Sequence, residues 1–162
     1  MNIRIESADD RAAIRNVHLS SFPDAQEADL VDRLREDGDT VISLVAVDGG
    51  RVLGHLLLSR MKGPFRALGL GPIAVLADRR TEGIGARLIN DAIQRAADGG
   101  WEGIFLLGDP EYYRRFGFSA EKARDFDSPY AGPNLMALAV NGGDLPVASG
   151  RIDYAAAFAA LV

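Results

Sequence analysis

The chain has 162 residues, a length suited to one domain with a core large enough to need no staples. Its 23 acidic and 18 basic residues leave a net charge of −5, which argues against nucleic-acid binding, since phosphate contacts need clustered Lys and Arg. Zero cysteines exclude disulfides, thiolate metal sites and a cysteine nucleophile, and His18 and His55 alone have no metal-ligand spacing, so no metal is expected.

From the N-terminus, "NIRIE" alternates polar and apolar residues and reads as a strand. Ser7 and Asp10 give a helix N-cap signal; Ala13, Ile14 and Val17 then face inward up to Phe22-Pro23. A second helix is predicted from about Asp24, with Leu30, Val31 and Leu34 on one face and Gly38 as its stop. "TVISLVAV" and "RVLGHLLLS" flank "DGG", a hairpin signal, and both are apolar on both faces, so the sheet is expected to be covered on both sides. "ALGLGPIAVL" is a further strand, in which Gly69, Gly71 and Pro72 predict a bulge or a close backbone approach.

Ile84, Leu88, Ile89, Ala92 and Ala96 keep helical spacing until Gly99-Gly100. "GIFLLG" is a short buried strand, and Asp109-Pro110 opens a short helix closed by Gly117, with a strand expected from Phe118. "NLMALAV" is a late strand, and the tail "GRIDYAAAFAALV" is apolar enough to dock. No repeat or linker intervenes, so one α+β domain over residues 1–162 is expected. The N-terminus lacks a signal-peptide pattern and no apolar run approaches the ~18–20 residues of a membrane span, so no membrane partner and a cytoplasmic location are expected.

The stretch "ADRRTEGIGARL", residues 77–88, is a polar turn running into the longest helix. It is not a dinucleotide fingerprint, because Leu88 stands where a third glycine is needed, and it has no Gly-Lys-Ser/Thr of a nucleotide-phosphate loop. A helix N-terminus offers unpaired N–H groups and partial positive charge, and glycine lets an anion approach them. With Arg79 and Arg80 alongside, the turn suits a pyrophosphate; equally, the glycines serve a tight strand-to-helix turn and the arginines are merely solvated.

"IAVLADRRTEGIGARLI" resembles the acyl-CoA loop of the GNAT superfamily of N-acyltransferases, whose Arg/Gln-x-x-Gly-x-Gly/Ala pattern is met by Arg80, Gly83 and Gly85. A second family signature, Tyr on a short helix followed by Gly-Phe, is met by Tyr113, Gly117 and Phe118, and "LGPIAV" with "GDPEYYRRFGF" resembles a bacterial subgroup of small acetyltransferases. The sequence departs from the pattern at Thr81 and Glu82, where a small and a basic residue are usual, and at Ala77, often proline.

The resemblance implies an α/β three-layer fold with a mixed, mostly antiparallel sheet of six to seven strands and helices on both faces. It implies a transfer of an acetyl group from acetyl-CoA to a primary amine, small or on a protein, by direct attack. The cofactor-binding residues it implies are Ile73 and Val75 (backbone), Arg80, Thr81, Gly83, Ile84 and Gly85, with the Val75 N–H on the thioester carbonyl. Tyr113 is the candidate general acid toward the departing thiolate, against its plainer reading as a core tyrosine with its hydroxyl tied to the backbone; Tyr112, roughly 100° around the helix, is expected off that face.

Glu27 and His55 are candidates for the base, against their plainer readings as a solvated carboxylate and a satisfied core histidine. His55 is expected on a strand face with Leu53, Leu57 and Ser59; Asp109 reads as catalytic or as a cap. Acceptor walls are expected from the first two helices, strand 51–59 and residues 123–134, and the tail could pair across a homodimer. The departures at Thr81 and Glu82 leave a second reading, a silent acyl-CoA sensor or interaction module.

Overall fold

A computed structural model describes residues 1–160. Strand β1 (Asn2–Ile5) leads through a 3-10 turn, Ala8–Asp10, into helix α1 (Arg11–Ser21). The Asp10 carboxylate accepts from the Ser7 N–H at 2.7 Å and from Arg4 at 2.7 and 3.0 Å, which fixes the entry to α1. Helix α2 (Gln26–Glu36) begins two residues later than expected, with the Asp24 side chain accepting from the Gln26 N–H.

Strands β2 (Thr40–Asp48) and β3 (Arg51–Arg60) form the hairpin over Gly49-Gly50, and β4 (Ala67–Val75) pairs antiparallel with β3. A 3-10 turn, Ala77–Glu82, joins β4 to helix α3 (Ile84–Asp98). Strand β5 (Gly103–Leu107) and short helix α4 (Pro110–Tyr113) follow. Helix α5 (Ala120–Ala123), strand β6 (Phe126–Asp127), strand β7 (Leu135–Ala139) and strand β8 (Gly150–Arg151) complete the order.

The main sheet has the order β1-β2-β3-β4-β5-β7; every neighbouring pair is antiparallel except β4 and β5. α3 packs on one face through Ile84, Leu88, Ile89, Ala92 and Ala96 against Leu44, Leu56 and Leu58. Fully burying a side chain such as Leu88 contributes about 1.5–3 kcal/mol. α1 and α2 cover the other face through Ile14, Val17, Leu30 and Leu34. This is the expected three-layer α/β arrangement, mostly antiparallel.

β4 and β5 decide where the site falls. They pair only at Ala67–Gly69 with Gly103–Phe105 and then part, leaving β4 from Leu70 onward without a partner on that side. Within that stretch Gly71 takes φ +140°, a value side-chain-bearing residues rarely adopt, and the β3–β4 register slips, as the glycines and Pro72 predict.

One expectation changes and one holds. No strand begins at Phe118: Phe118 is buried in the core, and the Ser119 side chain accepts from the Lys122 N–H and caps α5 instead. The tail docks on its own chain, with Ile152 and Ala157 buried and β8 pairing with β6 in a small parallel sheet; Leu161 and Val162, its last residues, lie outside the described ones.

Candidate active site

The parting of β4 from β5 opens onto two adjoining cavities. One, about 500 Å³, is lined by Ile73, Ala74, Val75, Arg80, Thr81, Gly83, Gly85, Ala86, Tyr112, Tyr113 and Arg115. The Leu76 N–H donates to Leu53 O at 2.8 Å toward β3, so strand alternation turns the N–H groups of Val75 and Ile73 to the open side. Val75 is therefore not an ordinary ladder donor on that side.

At the end of this cleft Gly83 caps α3 with φ +76°, in the left-handed region that disfavours a Cβ. The first intrahelical donor is Arg87 to Gly83 O, so the N–H groups of Ile84, Gly85 and Ala86 have no partner within the helix. Gly85 serves space rather than conformation: a Cβ there would stand 3.4 Å from the Tyr112 hydroxyl. Ile84 contributes at most its backbone, because its side chain is buried in the core.

The charges beside the turn are sorted. Arg80 faces the cleft, its Nε donating to Val75 O at 3.1 Å, which ties the motif arginine to the end of β4. Arg79 pairs instead with Glu82 and, at 3.3 Å, with Asp48. Glu82, the departure that threatens an incoming phosphate, is thus engaged by Arg79 and is absent from the cleft lining.

The second cavity, about 490 Å³, is lined by Phe22, Glu27, Leu30, Leu70, Pro72, Ile73, Leu107, Tyr113, Tyr130, Tyr154 and Phe158. The two cavities share Ile73 and Tyr113. Asp109 caps α4 by accepting from the Glu111 N–H at 3.0 Å, which holds Tyr113 one turn on. The Tyr113 ring lies against Gly108, where any Cβ would run into it. Burial, and secondarily Tyr112, push the Tyr113 phenol above its ordinary pKa.

Glu27 is half-buried, and its Oε1 is shut from water without a hydrogen-bond partner. Across the cavity the Tyr154 ring lies against Gly69, where a Cβ would come within 2.6 Å of it, and its hydroxyl is also buried without a partner.

His55 is not brought to either cavity. It is fully buried between β2 and α1: its Nδ1 lies 2.8 Å from His18 Nε2 and its Nε2 lies 2.7 Å from Ser43 Oγ. Ser43 donates onward to Glu6, which Arg35 holds through two bonds of 3.1 Å. Because the carboxylate can only accept, Ser43 must accept from His55 Nε2–H and His55 Nδ1 from His18 Nε2–H, one consistent direction with both rings neutral. Burial lowers both histidines, His18 to about 3; for Glu6 burial acts upward but the nearby His55 ring and hydrogen bonds from Ser43 and Arg35 outweigh it and bring it to about 2. Nor does His55 share a face with Leu53. The irregularity at Ala46/Val47 turns Leu53 to the α3 side, while Val52 and Leu57 pack with α1 and α2.

Two further expectations shift. Tyr112 does share the cleft, its ring 4.9 Å from that of Tyr113 and edge-on to it, because α4 is a single turn and both side chains fold toward α3. Arg115, 4.5 Å over the Tyr112 ring, joins it there; that second arginine on the motif helix was readable but unassigned. Strand 51–59 lends nothing to the second cavity, whose place in the wall is taken by Tyr154 and Phe158 from the tail. The glycine pair Gly69 and Gly108 was the available signal for rings lying on the backbone.

A mixed sheet parted between its parallel strands, with a glycine-capped helix at one end of the parting and an aromatic-lined cavity at the other, is the architecture of an N-acyltransferase. The chain belongs to the acetyltransferase (GNAT) family, which matches residues 11–118.

Among its relatives, the N-acetyltransferase YhbS of Escherichia coli K12 is 32% identical over 136 residues, 82% of this chain and 81% of the relative. The N-acetyltransferase YjhQ of the same strain is 33% identical over 138 residues, 80% of this chain and 76% of the relative. The crystal structure of Escherichia coli YhbS in complex with CoA superposes with a TM-score of 0.92 at 28% identity, covering 99% of this chain and 93% of that one. A GNAT acetyltransferase from Brucella melitensis in complex with acetyl-CoA gives 0.82 at 36% identity, covering 97% of each chain.

Proposed function

We propose that the protein transfers an acetyl group from acetyl-CoA to a primary amine by direct attack, with the donor in the glycine-turn cleft and the acceptor in the neighbouring cavity. The observation that carries this is the junction: the cleft and the cavity meet at Ile73 and Tyr113 and nowhere else in their linings. The relatives crystallised with CoA and acetyl-CoA support the choice of donor.

The residues present fit that donor. The N–H groups of Ile84, Gly85 and Ala86, with Thr81, Arg80 and Arg115, suit a pyrophosphate. The outward N–H and carbonyl groups of Ile73 and Val75 suit the amides of a pantetheine arm, and the Val75 N–H is the candidate donor to the acyl oxygen. What acetyl-CoA supplies is an activated acyl carbon with a thiol leaving group.

An amine that arrives as its ammonium first gives up one proton to solvent; making the N–C bond and breaking the C–S bond then requires a first proton to leave the neutral amine and a second to reach the sulfur. Tyr113 stands at the junction with its phenol kept protonated by burial, so it can deliver the second. Glu27 holds the amine side of the cavity, and waters carry the first proton outward.

Calorimetric titration with acetyl-CoA, followed by thiol release in the presence of an amine panel, tests the reading. Binding with amine-dependent release is expected. Binding without release for any amine would sink it and favour the acyl-CoA sensor; no binding would sink both.

A further inference from the structure

The cavity beyond Tyr113 has a chemical signature of its own. Five rings, Phe22, Tyr113, Tyr130, Tyr154 and Phe158, line it, and among the described residues Glu27 is the only charged one in its lining. Tyr154 makes an edge contact with Tyr130 at 5.5 Å and a tilted one with Phe158 at 5.0 Å, so three of the rings brace one another as a continuous wall. At about 490 Å³ the space falls within the ~300–1,000 Å³ of small-molecule sites.

A carboxylate lining an aromatic box recognises a cation, and a single carboxylate matches a single charge. Glu27 has Oε1 without a partner, and a charge in such surroundings demands one. An ammonium group in the cavity supplies it once the Glu27 carboxylate turns toward it. The rest of the ligand must then be largely apolar, because, Glu27 aside, the described lining offers polar groups only as the hydroxyls of Tyr113, Tyr130 and Tyr154, too few for the hydroxyls of a sugar or the further charges of a polyamine. A long acyl chain from the donor would fit the apolar walls but would leave Glu27 against hydrocarbon. The flat faces of Tyr130, Tyr154 and Phe158 favour a ring over a flexible chain.

We propose that this cavity takes an arylalkyl primary amine, its ammonium at Glu27 and its ring against Tyr130, Tyr154 and Phe158. Turnover of such an amine rests on the acyl-transfer reading above; its binding does not.

The test therefore measures both. Phenethylamine, glucosamine and spermidine are titrated by calorimetry with and without CoA, and thiol release from acetyl-CoA and octanoyl-CoA is followed with each amine. Phenethylamine is expected to bind most tightly, and Glu27→Gln to weaken it roughly tenfold to thirtyfold, as loss of a desolvated cation partner does. Phe158→Ala, which leaves the carboxylate in place, is expected to narrow the preference for phenethylamine over spermidine. Phenethylamine binding that depends on Glu27 but yields no thiol supports the inference while the transfer reading falls. Release driven by spermidine or glucosamine in preference to phenethylamine overturns the inference and leaves transfer standing. It is overturned equally by phenethylamine binding that ignores Glu27→Gln, by no phenethylamine binding at all, or by octanoyl-CoA outpacing acetyl-CoA through the same cavity.

Discussion

The two cavities that meet at Tyr113 are built from different materials. The cleft on the α3 side is lined largely by two short local stretches, Ile73 to Val75 and Arg80, Thr81, Gly83, Gly85 and Ala86, faced by Tyr112, Tyr113 and Arg115, with glycines where side chains would intrude. The cavity on the other side is lined by side chains from α1, α2, β4, the segment after β6 and the tail, residues that stand far apart in the chain. A backbone-lined cleft binds whatever matches a strand edge and a helix terminus, so it suits a constant ligand. A side-chain-lined cavity can be rebuilt residue by residue, so it suits the variable one.

Tyr113 belongs to both, and its replacement gives the largest expected effect. Tyr113→Phe keeps the ring on Gly108 but removes the proton, so kcat should fall by about 10²–10⁴ while the KM for acetyl-CoA moves by about twofold or less. Stopped thiol-release assays decide this, and a loss smaller than about tenfold would remove Tyr113 from the proton path. Because burial raises the phenol, the wild-type rate should hold on the alkaline side past its ordinary value near pH ~10 rather than fall before it.

The same contrast explains what could be read from the sequence. Gly83, Gly85 and Arg80 announce themselves within one dozen residues, because a helix terminus and a glycine turn are local devices. The sheet was legible for the same reason: alternation and full apolarity in residues 40–59 encode strands covered on both faces. The acceptor wall was not. Tyr154 and Tyr130 touch only because β8 pairs with β6, a non-local contact that no spacing encodes. His55 was misplaced toward chemistry because a sequence shows that a histidine is on a strand but not that His18 sits 2.8 Å away.

The second effect probes the backbone-built side. Gly83→Val forces a β-branched residue to φ +76°, a strain of about 1–3 kcal/mol that weakens acetyl-CoA binding on the order of tenfold to hundredfold as the turn relaxes away. Gly85→Ala, whose Cβ would meet the Tyr112 hydroxyl at 3.4 Å and Val75 Cγ2 at 3.9 Å, ordinary contact distances, should weaken it far less. Calorimetry on the pair checks the ranking; equal losses would mean that space rather than conformation governs both.

The third concerns acid, and it should fall on the acceptor side. His18 stacks under Phe22, a wall residue of that cavity, at 6.0 Å between centroids, and passes its hydrogen bond to His55. Both rings are held neutral by burial, whereas in the unfolded chain they protonate near 6.5. Below pH ~6.5 the unfolded state binds protons that the native state refuses, so stability falls as pH drops, for His18 down to about 3. Glu6 adds to this only lower, between the ordinary glutamate value and its own of about 2. Urea unfolding at pH 5 should show a pH-slope approaching two protons, and His18→Gln, which keeps a donor without titrating, should bring it to about one. An unchanged slope would place the proton uptake elsewhere.

The smallest effect lies beside the glycine turn, where Arg79 engages the one carboxylate near the incoming phosphates. Arg79 touches neither cavity, so by contact alone its loss should be silent. Electrostatically it is not: Arg79→Ala releases Glu82 next to the N-terminus of α3, where it competes for the same N–H groups that suit the pyrophosphate. Acetyl-CoA affinity should drop roughly twofold to fivefold at low salt and recover as salt screens the charge. Arg79→Ala combined with Glu82→Ala should return affinity to the starting value or above it, because the double variant leaves a positive helix terminus with no carboxylate to compete. If the double variant binds as weakly as the single one, Arg79 is itself the phosphate contact, and the division between Arg79 as a partner for Glu82 and Arg80 as the residue of the cleft is wrong.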